Sequence, residues 1–264
     1  MSVAGIGAAK CVLVVGATAG IGRALALAIH QLPSKPTVIV SGRRQERLDE
    51  LTRQGERVAS ARVDLTSGRE SLQAFANDTI SKYPDLDAII LSSGVQHTFD
   101  FTKPESIDLD LFETEFTTNY IAIVTLIKIF MPHFLKLSDQ GRPSFIIPIT
   151  SSLGILPGPW VPAYSATKAA LHSFSLSLDE QLRKKTKVRV MEIIPPLVES
   201  ELHDHQGTTS RLSKFWMPLD TFTKETMQGL CRGDMQIAPG EAKGRWEKWE
   251  KSKIDALRGH DMPS

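Results

Sequence analysis

Five apolar residues in a row, Cys11 to Val15, end at Gly16, and an unbroken run of that length suits a strand buried on both faces of a parallel sheet. The period then changes. From Gly20 to Leu32 the residues Ala24, Leu25, Ala28 and Ile29 recur three and four apart until Pro33 stops them, which predicts a helix. Thr37 to Val40 is a second apolar run, and Arg44 to Gln54 reads as a polar helix with Leu48 and Leu51 on one face. The alternation continues with strands predicted over Val58 to Leu65, Asp87 to Leu91, Phe145 to Thr150 and Val188 to Ile194, and helices over Ser71 to Lys82, Leu109 to Leu137 and Ala163 to Lys185. Such alternation implies right-handed βαβ units, so the expected class is α/β: a doubly wound parallel sheet with helices on both faces, in a single domain.

After Pro195-Pro196 the rhythm weakens. Residues 197–220 mix charge, His, Thr, Leu, Phe and Trp, as a substrate-covering segment would, or a plain irregular connector. Helical spacing returns from Pro218 to Arg232, Met235 to Ala238 is a candidate edge strand, and the tail 241–264 is expected to be helical at least to Arg258. There Trp246 and Trp249 share a face and read as docking anchors in preference to the lining of a ligand pocket.

Composition narrows the function classes. The 264 residues are 41% hydrophobic and 23% charged, and 31 Lys+Arg against 30 Asp+Glu leave a formal net charge of +1. This gives no electrostatic case for nucleic acid or an anionic membrane surface. Cys11 and Cys231 cannot build a disulfide framework or a four-ligand zinc site by themselves, and Met1 to Lys10 lacks a basic start with an apolar core, so a cytoplasmic location is expected. The strongly apolar stretch Tyr120 to Met131 is shorter than the ~20 residues of a membrane span and contains Lys128, so none is expected.

The first candidate chemistry lies between strand one and helix one. Gly16-Ala17-Thr18-Ala19-Gly20-Ile21-Gly22 places glycines and free backbone amides where a pyrophosphate can sit, as in a Rossmann-type fold. Gly16 would permit the tight turn, Gly20 close approach and Gly22 helix packing. No Gly-Lys-Ser/Thr follows, so the turn is not a phosphate loop of the NTPase kind. The second strand runs into Ser41-Gly42-Arg43-Arg44, with no carboxylate for a ribose 2′-hydroxyl and two guanidinium groups suited to a 2′-phosphate, which favours NADP(H). The competing reading has Arg43 and Arg44 opening a solvated helix, balanced by Glu46 or Asp49.

The second candidate is Tyr164-Ser165-Ala166-Thr167-Lys168, where Tyr164 and Lys168 share one helical face. A phenol of ordinary pKa ~10 needs roughly 4 kcal/mol of preferential phenolate stabilisation to work three units lower, and a nearby ammonium can supply part of it. Thirteen residues earlier, at a predicted strand end, Ser151 offers a hydroxyl to a carbonyl oxygen.

Glycine turn, serine, tyrosine and lysine in this order resemble the short-chain dehydrogenase/reductase superfamily, specifically its single-domain members, over roughly residues 11 to 200. The resemblance implies that Ser151, Tyr164 and Lys168 are the catalytic trio and that Asn119 holds a water in a proton relay with the lysine. It implies cofactor contacts from Gly16, Thr18, Gly20, Ile21 and Gly22, and from Asp64-Leu65 beside adenine. Ser92-Ser93-Gly94 stands where the family usually has Asn-Ala-Gly, and in the stretch Pro195 to Ser200 the backbone of Val198 would meet the carboxamide. Val15, Leu91, Ser92 and Pro196 depart from the family's usual residues, and Pro195-Pro196-Leu197-Val198 is similar to a DltE-like branch. The implied activity is NADP(H)-dependent interconversion of a small-molecule alcohol and ketone, by a chain that can pair as a homodimer or homotetramer. The rivals are a catalytically silent nucleotide sensor or scaffold and a non-redox isomerase or dehydratase. No metal is expected: His203-Asp204-His205 lacks further ligands at suitable spacing. Trp160, between Ser151 and Tyr164, is a candidate substrate wall or a packing residue.

Overall fold

Six parallel strands form the main sheet of the computed structural model, whose described residues are 4–207 and 209–259, the side chains of residues 203, 205, 206 and 259 lying outside them. The chain runs β1 (Cys11–Val15), α1 (Gly20–His30), β2 (Thr37–Gly42), α2 (Gln45–Thr52), β3 (Val58–Arg62), α3 (Arg69–Lys82), β4 (Leu86–Leu91), α4 (Leu109–Phe116) and α5 (Ala122–Asp139). It continues through β5 (Ser144–Pro148), α6 (Pro162–Leu182), β6 (Val188–Val190), β7 (Glu192–Ile193), α7 (Thr209–Leu212), α8 (Leu219–Arg232), β8 (Gln236–Ile237), α9 (Ala242–Trp249) and α10 (Lys251–Gly259). The strand order is β3-β2-β1-β4-β5-β6, so the winding reverses between β1 and β4 and opens a crevice at their carboxyl ends.

Burial on both faces explains the uninterrupted apolar strands. In β1, Cys11, Leu13 and Val15 enter the core under α3, α5 and α6, while Val12 and Val14 enter the opposite core under α1, α2 and α8. Fully burying side chains of the Val, Leu or Phe class stabilises by about 1.5–3 kcal/mol each relative to exposure. Both cysteines are free, Cys11 buried and Cys231 exposed.

Several predicted boundaries need correction. The helix expected over Leu109 to Leu137 carries a π turn, Thr117–Ile121, because its backbone takes one wider turn there. On length and composition alone Leu109–Asp139 could cross a bilayer, contrary to the sequence estimate, but Ile123, Leu126, Ile127, Phe130 and Phe134 are buried in the core. The third strand stops at Arg62, leaving Asp64 in a turn where its Oδ1 accepts from Thr66 N and Oγ1. The single strand expected over Val188 to Ile194 is two pieces: β6 pairs with β5, and past Met191 the chain pairs with β8 while Ile193 keeps one bridge to Ile149. The charged tail is two helices meeting at Glu250, and its last residues, like Met1 to Val3, fall outside the description.

Candidate active site

All the sequence-predicted site residues except Gly22 and Asn119 line one cleft of about 750 Å³ at the carboxyl ends of the strands. Gly16 has φ +87°, and a Cβ there would stand 2.6 Å from Ser93 N; one on Gly22 would stand 2.2 Å from the Gly16 carbonyl oxygen. The two glycines therefore let α1 press onto the turn and onto the loop after β4. Gly20 is also left-handed, φ +50°, and its missing side chain leaves room for Ser200. No side chain caps α1, so the amides of its first turn remain to meet an anion. This cradle, which a Cβ would fill, fits the pyrophosphate of a dinucleotide.

Arg43 and Arg44 reach the same cleft from the end of β2. Arg44 donates to Thr18 Oγ1 from Nε at 3.1 Å and from Nη2 at 2.8 Å, and its Nη1 meets Glu201 at 2.9 Å. Arg47, one turn into α2, meets the same carboxylate at 2.6 Å. The counter-charge is thus Glu201 rather than Glu46 or Asp49. Partial burial opposes ionisation, but the two guanidinium groups hold the Glu201 carboxyl below its ordinary range. Asp64 is lowered too, first by the Thr66 backbone amide and then by charges including Arg43.

Nearer the other end, Ser151 lies three residues past β5, which stops at Pro148 rather than Thr150; its backbone is extended and its Oγ accepts from Leu153 N at 3.1 Å. Tyr164 and Lys168 follow on α6, which opens with Pro162 at a position where its missing N–H costs nothing. Burial pushes the Tyr164 phenol well up, the Ser151 hydroxyl pulls it down, and Glu115 adds to the rise. Burial pushes Lys168 down to about 8; its Nζ donates to Ile149 O at 2.8 Å and stands 5.5 Å from the Tyr164 ring centroid. In the free chain burial outweighs the Ser151 hydrogen bond and holds the phenol above its ordinary range.

Asn119 lies in the π turn, fully buried. Its Nδ2 donates to Val95 O and Thr167 Oγ1, and its Oδ1 accepts from Val95 N. Both amide hydrogens are committed, leaving Oδ1 to accept one further bond, such as from a water. Val198 forms a bridge with Met217, in which Leu197 O and Glu199 N take the Met217 amide and carbonyl. Strand alternation then turns Val198's own N–H and C=O to the other side. Pro195 O accepts from Ser152 N at 2.8 Å.

Sequence reading missed Arg47, Glu115, Glu201 and Arg245. Arg47 carried a signal, being one turn beyond Arg43 and Arg44. Glu115, fully buried, accepts from the His97 backbone and ring at one oxygen while the other finds no hydrogen-bond partner among the described residues. Burial pushes its carboxyl up to about 7. Trp160, 56% exposed, lines the cleft and is a wall rather than core. Trp246 docks its tail helix through Nε1 to Gln236 Oε1 at 2.6 Å, whereas Trp249 is exposed. The residues His203-Asp204-His205 fall in the turn of helix Glu201–Gln206, with both imidazoles outside the described atoms.

Comparison with known proteins agrees with this geometry. The short chain dehydrogenase family profile matches residues 10–210. The uncharacterized oxidoreductase DltE of Bacillus subtilis is 35% identical over 88% of this chain and 89% of its own. The NADP-dependent 3-hydroxy acid dehydrogenase YdfG of Shigella flexneri is 32% identical over 71% of this chain and 72% of its own. Two solved structures share the fold. A short-chain dehydrogenase from Sphingobium yanoikuyae in complex with NADPH has TM-score 0.81 at 21% identity, covering 97% of this chain and 98% of that one. One from Burkholderia phymatum in complex with NAD has TM-score 0.79 at 20% identity, covering 100% and 99%.

Proposed function

The chain belongs to the short-chain dehydrogenase/reductase family, and from that premise we propose an NADP(H)-dependent oxidoreductase that interconverts a secondary alcohol and a ketone. The observation that carries this reading is the single cleft with a glycine cradle and arginines at one end and Ser151, Tyr164 and Lys168 at the other. The glycines and the start of α1 would hold the pyrophosphate, Arg43, Arg44 and Arg47 the 2′-phosphate, and Lys168 the ribose hydroxyls. Asp64 and Leu65 would flank adenine, and the Val198 backbone the carboxamide. The relative that is NADP-dependent supports the choice of nucleotide.

When bound, the nicotinamide supplies or accepts a hydride. In reduction Tyr164 gives its proton to the carbonyl oxygen, and a phenol kept protonated by burial suits that role. Ser151 holds the same oxygen and stabilises the negative charge that develops on it. Lys168, anchored to Ile149, is a buried ammonium one turn from the phenol, and Asn119 pins the loop after β4 to α6 beneath both.

The test is the absorbance of the reduced-nicotinamide band while the protein meets a panel of ketones. Steady consumption, faster with NADPH than NADH, is expected. Tight nucleotide binding without consumption would make the protein a sensor instead.

A further inference from the structure

We infer that Arg245 of α9 is the receptor for a carboxylate on the substrate, so that the compounds turned over are oxo and hydroxy acids; this rests on the oxidoreductase reading above. Arg245 lies beyond the residues that the family profile matches and enters the cleft because the tail folds back over it. Its Nη1 donates to Ser152 Oγ at 3.2 Å, and Ser152, 3% exposed, directly follows Ser151.

The helix that carries Arg245 is braced to the catalytic helix. Glu250, where α9 ends, accepts from His172 Nε2 at 2.9 Å, and the other ring nitrogen of His172 meets Glu192 at 2.8 Å. His172 stands one turn after Lys168 on α6. A guanidinium held this way is a fixed wall group, not a surface arginine sampling solvent. Arg23, Arg44, Arg47, Arg142, Arg183 and Arg232 all pair with carboxylates, but among the described residues none lies within ion-pair distance of Arg245. Guanidinium has five N–H donors in a planar fork matched to a carboxylate, and the Ser152 bond uses one.

The surroundings select a monoanion with an apolar body. Glu241, four residues earlier, also lines the cleft and repels any anion, but a phosphate monoester of charge about −2 roughly twice as strongly as a carboxylate of single charge, so the site favours the smaller charge. Trp160 and Phe215, both well exposed at the mouth, offer apolar surface to the rest of the molecule.

The test pairs short oxo acids with their methyl esters. For the natural sequence kcat/KM should favour the acid at least tenfold, and Arg245→Met should lower the acid-to-ester ratio about 10–100-fold, mostly through KM, the size of a lost charged hydrogen bond. Lys243→Met, on the same helix but outside the cleft, controls for net charge and should leave the ratio alone. Calorimetric binding of the matching hydroxy acids should weaken by the same factor in Arg245→Met, with circular dichroism confirming that the variant is folded. Equal use of acid and ester, or a preference and binding that survive Arg245→Met, would overturn the inference while leaving the oxidoreductase reading intact. Arg245-dependent binding of the acids without turnover of either class would support the receptor and refute the oxidoreductase.

Discussion

At the end of the cleft proposed for the cofactor most candidate residues sit at the carboxyl ends of β1 to β4 or within a turn of them, whereas the end proposed for the substrate is assembled from parts of the chain far apart in sequence. Ser152 and Arg245 are separated by 93 residues, and His172 and Glu250 by 78. The first end rests on backbone geometry, the second on buried charge. Glycines at positive φ and an uncapped helix start need no partner side chain, but a wall made of a folded-back tail must be tied down. The His172, Glu192 and Glu250 cluster is that tie.

Breaking the tie should have the largest effect. Glu250→Ala leaves a buried imidazolium short of one carboxylate and is expected to cost about 3–5 kcal/mol in urea unfolding, with Glu250→Gln milder. Burial alone would lower the His172 pKa, but hydrogen bonds and charge from Glu192 and Glu250 outweigh it and hold it at about 9. A base whose folded value lies above its unfolded one stabilises fully below pH ~6.5 and loses that contribution as pH rises through about 9. The wild type should therefore lose about 3 kcal/mol across this window, and Glu250→Ala distinctly less. Unchanged stability of the variant at pH 6 would show that the tail is not held this way.

Ser151→Ala tests the same end through its chemistry. Removing a donor to a developing oxyanion costs about 10²–10³ in kcat, and nucleotide affinity should hardly move. A parallel loss of nucleotide binding would mean that the two ends are not separable.

These effects divide along the line between what the sequence displays and what it hides. The parallel sheet was legible because strands buried on both faces must be continuous apolar runs, as Cys11 to Val15 is. The glycine turn and the Tyr164, Lys168 pair were legible because their geometry is local: a turn and a single helical face. Glu192 was hidden inside an apolar strand, since its carboxylate is made tolerable by Thr150, His172 and Gln236, all remote in sequence. Glu201 and Arg245 were hidden for the same reason, and so was the π turn at Asn119, which no residue pattern announces.

The cofactor end yields smaller changes. Arg43→Ala with Arg44→Ala should weaken NADPH about 10–100-fold in fluorescence titration and NADH little; an equal loss of both would contradict the 2′-phosphate assignment. Glu201 occupies Arg44 and Arg47 in the free chain, so Glu201→Gln should tighten NADPH a few-fold, since exposed pairs are worth about 1 kcal/mol or less. Weaker NADPH binding in that variant would mean that Glu201 contacts the nucleotide favourably rather than competing with it.

The proposed reduction by NADPH turns most directly on Tyr164 as its proton donor. Tyr164→Phe, assayed by NADPH consumption with the best ketone or oxo acid of the panel, should lose at least about 10³-fold in kcat, beyond the usual 10²–10⁴ range's lower end for a general acid, while still binding NADPH as the wild type does. Turnover within a few-fold of wild type would contradict it.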